Sequence, residues 1–215
     1  MSKSKLANLT TRKKLQILRP YKQELGELVF AWNSLHDELA HLFGLVIKIP
    51  RVETAFAIWH STPSDLAQRK MLRNAVEAEF SSKDNRKADL LWLLDKVDYG
   101  LSQKRNDAIH APITIRLDPE GNVIGVEPTS WSNSPRAKSL GGKDLLRELT
   151  WYRMSAVVLC LYVIDVCLAL DPSARQPWPH RPLLPNAGEK KIAKRSRHKV
   201  TRYRVHPPRR IPFPK

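Results

Sequence analysis

Apolar residues recur at spacings of three and four along most of residues 20–170, and this periodicity constrains the fold more than any other feature of the chain. The clearest run lies between Pro20 and Pro50 and comprises Leu25, Leu28, Val29, Trp32, Leu35, Leu39, Leu42, Phe43 and Val46. Such spacing places side chains on one face of an α-helix. The run therefore predicts a long amphipathic helix that starts after Pro20 and buries this face.

Further helical segments follow the first. One begins near Glu53, is interrupted at "STPSD", and restarts with Ser64 or Asp65 as its N-cap. Another runs from about Asp84 to His110, because a proline two residues later disfavours helical geometry just before it. The breaks predict separate helices that can fold back on one another.

The sequence predicts a β-hairpin between this helix and the last one. Two alternating segments flank Asp-Pro-Glu-Gly-Asn within about residues 113–129. A loop with two adjacent glycines follows, and then a final helix over about residues 143–170. The predicted fold is mainly α, a four- to five-helix bundle with one inserted hairpin.

Positive charge is concentrated at the end of the chain. The formal net charge is +16, and residues 171–215 hold 13 Lys and Arg against 2 Asp and Glu, together with 9 of the 16 prolines. Proline lacks the N–H and the freedom in φ that helices and central strands need. We therefore expect a flexible basic arm over residues 1–19, the bundle over residues 20–170, and a largely disordered basic tail over residues 171–215.

A strongly cationic segment attracts polyanions, because phosphates that it neutralises release their counterions. The tail is therefore predicted to bind nucleic acid. The composition also leaves open a solvating tail with no dedicated partner. The predicted nucleic-acid contacts are the basic residues Lys190, Lys191, Lys194, Arg195, Arg197, Lys199, Arg202, Arg204, Arg209 and Arg210.

The two cysteines, Cys160 and Cys167, lie seven residues apart in an apolar stretch, too far to bond each other on a helix. They are expected to be core thiols of a cytoplasmic protein. No Cys/His spacing indicates zinc, so neither a metal nor another cofactor is predicted. Residues 154–170 are fewer than a membrane-spanning helix requires and include Asp165, so we expect a central helix buried on most sides rather than a membrane span.

The segment "KRNDAIHAP", residues 104–112, ends the third predicted helical region. Arg105 continues an apolar stripe, so its charge points toward protein and needs a partner anion. His110 lies five residues on, about 140° round an ideal helix, and Asn106 shares the face of His110. Arg105 and His110 are thus expected to flank one groove. The stripe comprises Leu90, Leu94, Val97 and Leu101.

The order of these segments resembles the HEPN superfamily. The first helix carries "FAWNSLHDELAHLF", the second region "AIWHSTPSDLAQRKMLRNAVE", and the third "LLWLLDKVDYGLSQKRNDAIHAP". The recurring mark of that superfamily is an arginine, four to six residues and a histidine, often with a polar residue after the arginine. Arg105, Asn106 and His110 fit the four-residue form. The resemblance covers about residues 20–170, and the inserted hairpin departs from the simplest bundle.

The resemblance implies metal-independent RNA cleavage, in which the 2′-hydroxyl attacks the adjacent phosphate. It implies that His110 moves protons, that Arg105 stabilises the growing phosphate charge, and that Asn106 holds the imidazole or a phosphate oxygen. Because one histidine seldom serves as both acid and base, a homodimer with a shared cleft is expected. A toxin or defence role, with a cognate antitoxin, is a further implication.

Other interpretations stay open at this point. In one, Arg105 forms a salt bridge and His110 only ends the helix, where the helix dipole favours it, in a non-catalytic protein that binds nucleic acid or acts as a scaffold. In another, the basic tail holds the protein at a membrane surface. We expect Asp107 to be a solvated charge or an arginine partner, and His36 and His41 either to line the groove or to be exposed.

Overall fold

The computed structural model describes residues 9–129, 134–174 and 176–185 of the chain. Its longest helix, α1 (Thr11–Val46), begins earlier than the sequence predicted. The Thr10 hydroxyl caps it by accepting a hydrogen bond from the Lys13 N–H at 3.3 Å. The prediction of a flexible arm is therefore wrong for the part of residues 1–19 that is helical, and residues 1–8 lie outside the described residues.

Pro20 lies inside α1 rather than before it. An internal proline costs about 3 kcal/mol through its missing N–H and its clash with the preceding turn. The residues on both sides of it recover part of this cost, because Ile17, Leu18 and Tyr21 pack against the hydrophobic core. Tertiary packing thus overrides the helix-start signal that the proline provides.

The next helices follow the predicted order. The "STPSD" break separates α2 (Val52–Ser61) from α3 (Asp65–Glu79), and the Ser64 hydroxyl caps α3 by accepting a hydrogen bond from the Ala67 N–H at 3.2 Å. The third predicted region consists of three successive helical segments, which are α4 (Asn85–Asp95), a π-helical segment (Lys96–Ser102) and α5 (Gln103–His110). After the hairpin come α6 (Pro135–Leu140), which was not predicted, and α7 (Leu145–Leu170).

The predicted hairpin is present between α5 and α6. Its strands are β1 (Ile113–Leu117) and β2 (Val123–Pro128), which pair antiparallel with a bulge between Arg116 and Leu117. Ile115 faces Val126 in this register, and both side chains are buried. The prediction of a mainly α fold with one inserted hairpin is confirmed.

The helices α1 and α7 pack side by side at the centre of the core. Arg153 pairs with Glu24, and Cys167 lies beside Glu38 fourteen residues further along each helix, so the two helices run in the same direction. The buried face of α7 comprises Leu145, Leu149, Tyr152, Ser155, Ala156, Leu159, Tyr162, Val163, Val166 and Cys167.

Burial of α7 is confined to that face, so the expectation of burial on most sides is wrong. Only 39% of its most apolar 18-residue window is buried, and Met154, Leu161 and Leu168 are exposed. By length and composition alone α7 also qualifies as a membrane-spanning helix, which is weak evidence. The absence of a membrane span therefore stays a prediction.

The beginning of the proline-rich segment packs on the helical body, which corrects the expectation of disorder for residues 176–185. The Trp178 indole N–H donates to the Asp89 carboxylate at 2.7 Å, and Arg181 donates to the same carboxylate at 2.5 Å. The Trp151 indole N–H donates to the Pro185 carbonyl at 2.5 Å. The prolines prevent a helix in this segment, but the segment is still ordered. Trp178 packs against the core and shares the Asp89 carboxylate with Arg181, and these contacts hold the extended chain in place. Residues 186–215 lie outside the described residues.

Candidate active site

Arg105 points into the bundle, as the stripe on the third helical region predicted. Its guanidinium carbon lies 5.3 Å from the centre of the Trp32 ring, and its Nη1 donates to the Asn106 amide oxygen at 2.9 Å. Its Nε is buried and has no hydrogen-bond partner among the described residues. Within the same residues, no carboxylate lies within 4.0 Å of the guanidinium. The salt bridge that the alternative, structural interpretation gave Arg105 is thus not formed within the described residues.

The electrostatic surroundings of Arg105 contain charges of both signs. Burial lowers the pKa of its guanidinium, the Asp65 carboxylate opposes this change, and the like charge of Arg69 lowers the pKa further. Asp65 is already engaged, because it accepts the Trp32 indole N–H at 3.0 Å. Burial raises the pKa of Asp65, but this hydrogen bond and the nearby positive charges outweigh it, so the net pKa is below its usual value.

A buried polar group lies beside Arg105 and joins α1, α3 and the π-helical segment. We call it the Arg69 cluster; it consists of His36, Arg69, Asp98 and Ser102. Arg69 is only 1% exposed and donates from Nε to Asp98 at 2.5 Å, from Nη1 to His36 at 3.0 Å and from Nη2 to Ser102 at 3.2 Å. The Arg69 guanidinium therefore donates hydrogen bonds from all three of its nitrogens. A buried charge needs such partners, because burial removes it from water.

His36 is part of this cluster and not of an exposed groove. Arginine can only donate, so the His36 Nε2 accepts and the imidazole is neutral. Burial lowers the pKa of His36 to about 4, partly opposed by Asp65 and reinforced by Arg69. His36 is therefore unsuited to exchange protons with a substrate near neutral pH. His41 lies further along α1, with its side chain 45% exposed.

His110 is the last residue of α5 and is exposed to solvent. On an ideal helix it lies about 7.5 Å along the axis from Arg105 and about 140° round it. Arg105 is turned toward Trp32, so the two side chains leave α5 in different directions. In the part of the chain that the structure describes, neither a hydrogen bond nor an ion pair joins them. The placement of the pair on either side of one groove stays a prediction.

Asp107 is buried and pairs with no arginine in the part of the chain that the structure describes, so the expectation of a solvated charge or an arginine partner is wrong there. It is buried and accepts hydrogen bonds from the Gln103 amide at 2.8 Å and from the Ser139 hydroxyl at 2.7 Å. Ser139 belongs to α6, the short helix that the sequence did not indicate. Asp107 thus ties α6 to α5 and fixes the helix that carries Arg105 and His110.

The described chain ends close to α5. The Lys104 ammonium lies 4.1 Å from the centre of the Trp151 ring, and Trp151 also holds the Pro185 carbonyl. Pro185 is the last residue that the structure describes. The predicted nucleic-acid contacts from Lys190 to Arg210 lie outside the described residues. The last described residue before them, Pro185, is bound to Trp151, which also contacts Lys104, the residue next to Arg105.

Arg69 is the residue that sequence analysis missed. It lies three residues before Leu72 and seven before Val76, both fully buried on α3. Arg69 could have been recognised as a charged residue at helical spacing from apolar residues that become buried. The same kind of position identified Arg105 in the sequence. Comparisons of the chain with family models, with curated proteins and with solved structures give no match, so the HEPN resemblance depends on the residues themselves.

Proposed function

We propose that this protein is a metal-independent RNA endonuclease, with His110 in proton transfer and Arg105 stabilising phosphate charge. The observation that carries the proposal is the half-buried Arg105 guanidinium, which lacks a close carboxylate within the described residues. A guanidinium in a partly dry site interacts more strongly with an incoming anion than it does in bulk water. Its fork of donors matches two phosphate oxygens.

The proposed reaction has two proton movements. A base takes the proton of the ribose 2′-hydroxyl while the 2′-oxygen bonds to the adjacent phosphorus, and an acid protonates the 5′-oxygen as the bond from phosphorus to that oxygen breaks. His110 is exposed and can reach solvent-borne substrate. Arg105 stabilises the negative charge that grows on the phosphate oxygens. The products are a 2′,3′-cyclic phosphate and a 5′-hydroxyl.

Asn106 has a supporting part in this scheme. Its amide oxygen accepts from the Arg105 Nη1 at 2.9 Å, so it orients the guanidinium plane rather than the imidazole. His36 is buried and neutral, so it does not supply the second proton-transfer group. We therefore assign that group to His110 of a second copy of the chain, which makes the active form a homodimer. The toxin or defence role and the cognate antitoxin stay predictions.

RNA capture is assigned to the basic residues beyond Pro185. The support is that the chain leaves the body at Trp151, which also contacts Lys104 on α5. A polyanion bound by the following residues is thereby held near α5. RNA is favoured over DNA as substrate because the reaction uses the 2′-hydroxyl as its nucleophile.

The decisive experiment measures cleavage of an end-labelled RNA by the purified full chain at saturating substrate. His110→Ala and Arg105→Ala should each lower the rate by on the order of 10² or more, the scale of losing a general acid–base or an oxyanion contact. His60→Ala removes an exposed histidine of α2 and serves as the matched control. Substrate with a 2′-deoxy group at the cleavage site should be inert, and EDTA should leave the rate unchanged.

Two outcomes contradict the proposal in different ways. A folded dimer that cuts no RNA rejects the enzyme and favours the non-catalytic binding or scaffolding protein, in which Arg105 is structural. A His110→Ala variant that cuts as fast as the parent protein rejects His110 as the proton-transfer group. If the active protein sediments exclusively as a monomer at micromolar concentration, the shared cleft of a homodimer is contradicted.

A further inference from the structure

Three potential metal ligands meet where α1 and α7 lie side by side, far from Arg105. They are Glu38 and His41 on α1 and Cys167 on α7, and their ligand atoms all lie within 4.8 Å of one another. Glu38 and His41 are three residues apart and share a helix face, with the His41 Nδ1 3.9 Å from the Glu38 Oε2. Because the ligands come from the first and last helices, no local sequence spacing indicates them.

The donor set suits zinc. One imidazole nitrogen, one carboxylate oxygen and one thiolate sulfur with a fourth position for water form a tetrahedral set that Zn²⁺ accepts. Bond lengths of about 2.0–2.3 Å place the ligand atoms of such a site roughly 3.3–3.8 Å apart. The observed separations of up to 4.8 Å need to shrink by up to about 1.5 Å, which side-chain rotation supplies without moving either helix.

The exposure of the three ligands also suits a bound ion. Cys167 is 4% exposed, and its sulfur lies within 4.8 Å of the Glu38 and His41 ligand atoms. The side chains of Glu38 and His41 are 32% and 45% exposed, so the ion has a route from solvent to the buried sulfur.

We propose that Glu38, His41 and Cys167 bind one Zn²⁺ ion that fastens the end of α7 to α1. Trp32 is the α1 residue that contacts Arg105. His41 lies nine residues further along α1, a separation of about 13.5 Å along the helix axis. The ion is therefore separate from the candidate active site. The proposal stands whether or not the protein cleaves RNA.

Cobalt is the probe, because Co²⁺ occupies zinc sites and its bond to a thiolate absorbs in the near ultraviolet. Titration of chelator-treated full chain with Co²⁺ should give this absorption at one ion per chain. Cys167→Ser should abolish it, whereas Cys160→Ser should retain it, because Cys160 lies two turns away on the same helix and is outside the group. Zn²⁺ should displace Co²⁺ and raise the midpoint of thermal unfolding of the parent protein.

His41→Ala keeps the test sound if the buried Cys167 variant fails to fold, since its side chain is largely exposed. It should weaken Co²⁺ affinity by on the order of 10²-fold, at least the loss seen when a group that only orients a ligand is removed. The proposal is overturned if the parent protein shows no thiolate absorption, or if the absorption persists in Cys167→Ser. Unchanged affinity in His41→Ala overturns it as well.

Discussion

Removing the charge of Asp98 should destabilise the protein strongly, because Asp98 is the direct counter-ion of a guanidinium that is almost fully buried. Arg69 is 1% exposed and Asp98 is 12% exposed, with 2.5 Å between the Arg69 Nε and the Asp98 Oδ1. Loss of one partner from a buried pair costs about 3–5 kcal/mol, because the other charge is left uncompensated. For Asp98→Asn we expect about 3 kcal/mol, since the amide oxygen can still accept the Nε–H.

The matched control is Glu79→Gln, the same carboxylate-to-amide change in an exposed ion pair. Glu79 accepts from Lys48 at 2.8 Å, and the two side chains are 36% and 79% exposed. Exposed pairs contribute about 0.2–1 kcal/mol because water already solvates both charges. Comparing the two variants therefore separates the loss of stability caused by burial from the loss caused by breaking an ion pair at the surface.

The measurement is the free energy of unfolding from urea denaturation, compared at equal slope m. Adding Arg69→Met to Asp98→Asn should restore part of the lost stability, because it removes the uncompensated charge and fills its space. Equal losses for Asp98→Asn and Glu79→Gln contradict the reasoning. A double variant that is less stable than Asp98→Asn alone contradicts it too.

Two further predictions concern pH and the end of the chain. The pKa of His36 is lowered from 6.5 to about 4, so its contribution to stability is complete above pH 6.5 and is lost as pH falls toward 4. The difference is worth about 3 kcal/mol, and His36→Gln should flatten the fall of unfolding free energy in this range while His60→Gln should not. Deleting residues 186–215 should weaken RNA binding and flatten its dependence on salt. Deletion from residue 171 should also lower the unfolding midpoint, because Asp89 then loses Trp178.

Helices with a strong apolar period were predictable from sequence, and so were ends with a local chemical signal. Ser64 caps α3 as predicted, since a cap is made by residues adjacent in sequence. Pro20 shows the limit of local signals, because Ile17 and Leu18 pack against the core and keep the helix going through the proline. The short α6 escaped prediction because Ser139 is held by Asp107, a contact that sequence spacing does not reveal.

The candidate site shows the same division between local and tertiary information. The sequence predicted that Arg105 faces the protein, because Arg105 continues the apolar stripe that runs from α4 through the π-helical segment to α5. The sequence did not predict which residues surround Arg105, because Trp32 and Asp65 come from α1 and α3. Likewise, the hydrogen bonds of the Arg69 cluster join residues that are 33 apart in sequence. The sequence identified the charged residue, and tertiary packing determined its partners.

The distribution of carboxylates explains why Arg105 rather than Arg69 is the candidate for binding phosphate. Asp98 is committed to Arg69, and Asp65 to the Trp32 indole. The Trp32 face offers Arg105 a cation–π contact of about 0.5–2 kcal/mol. Among the described residues Arg105 therefore has fewer charge partners than Arg69. We propose that an external anion with two acceptor oxygens, such as an RNA phosphate, supplies the missing partner.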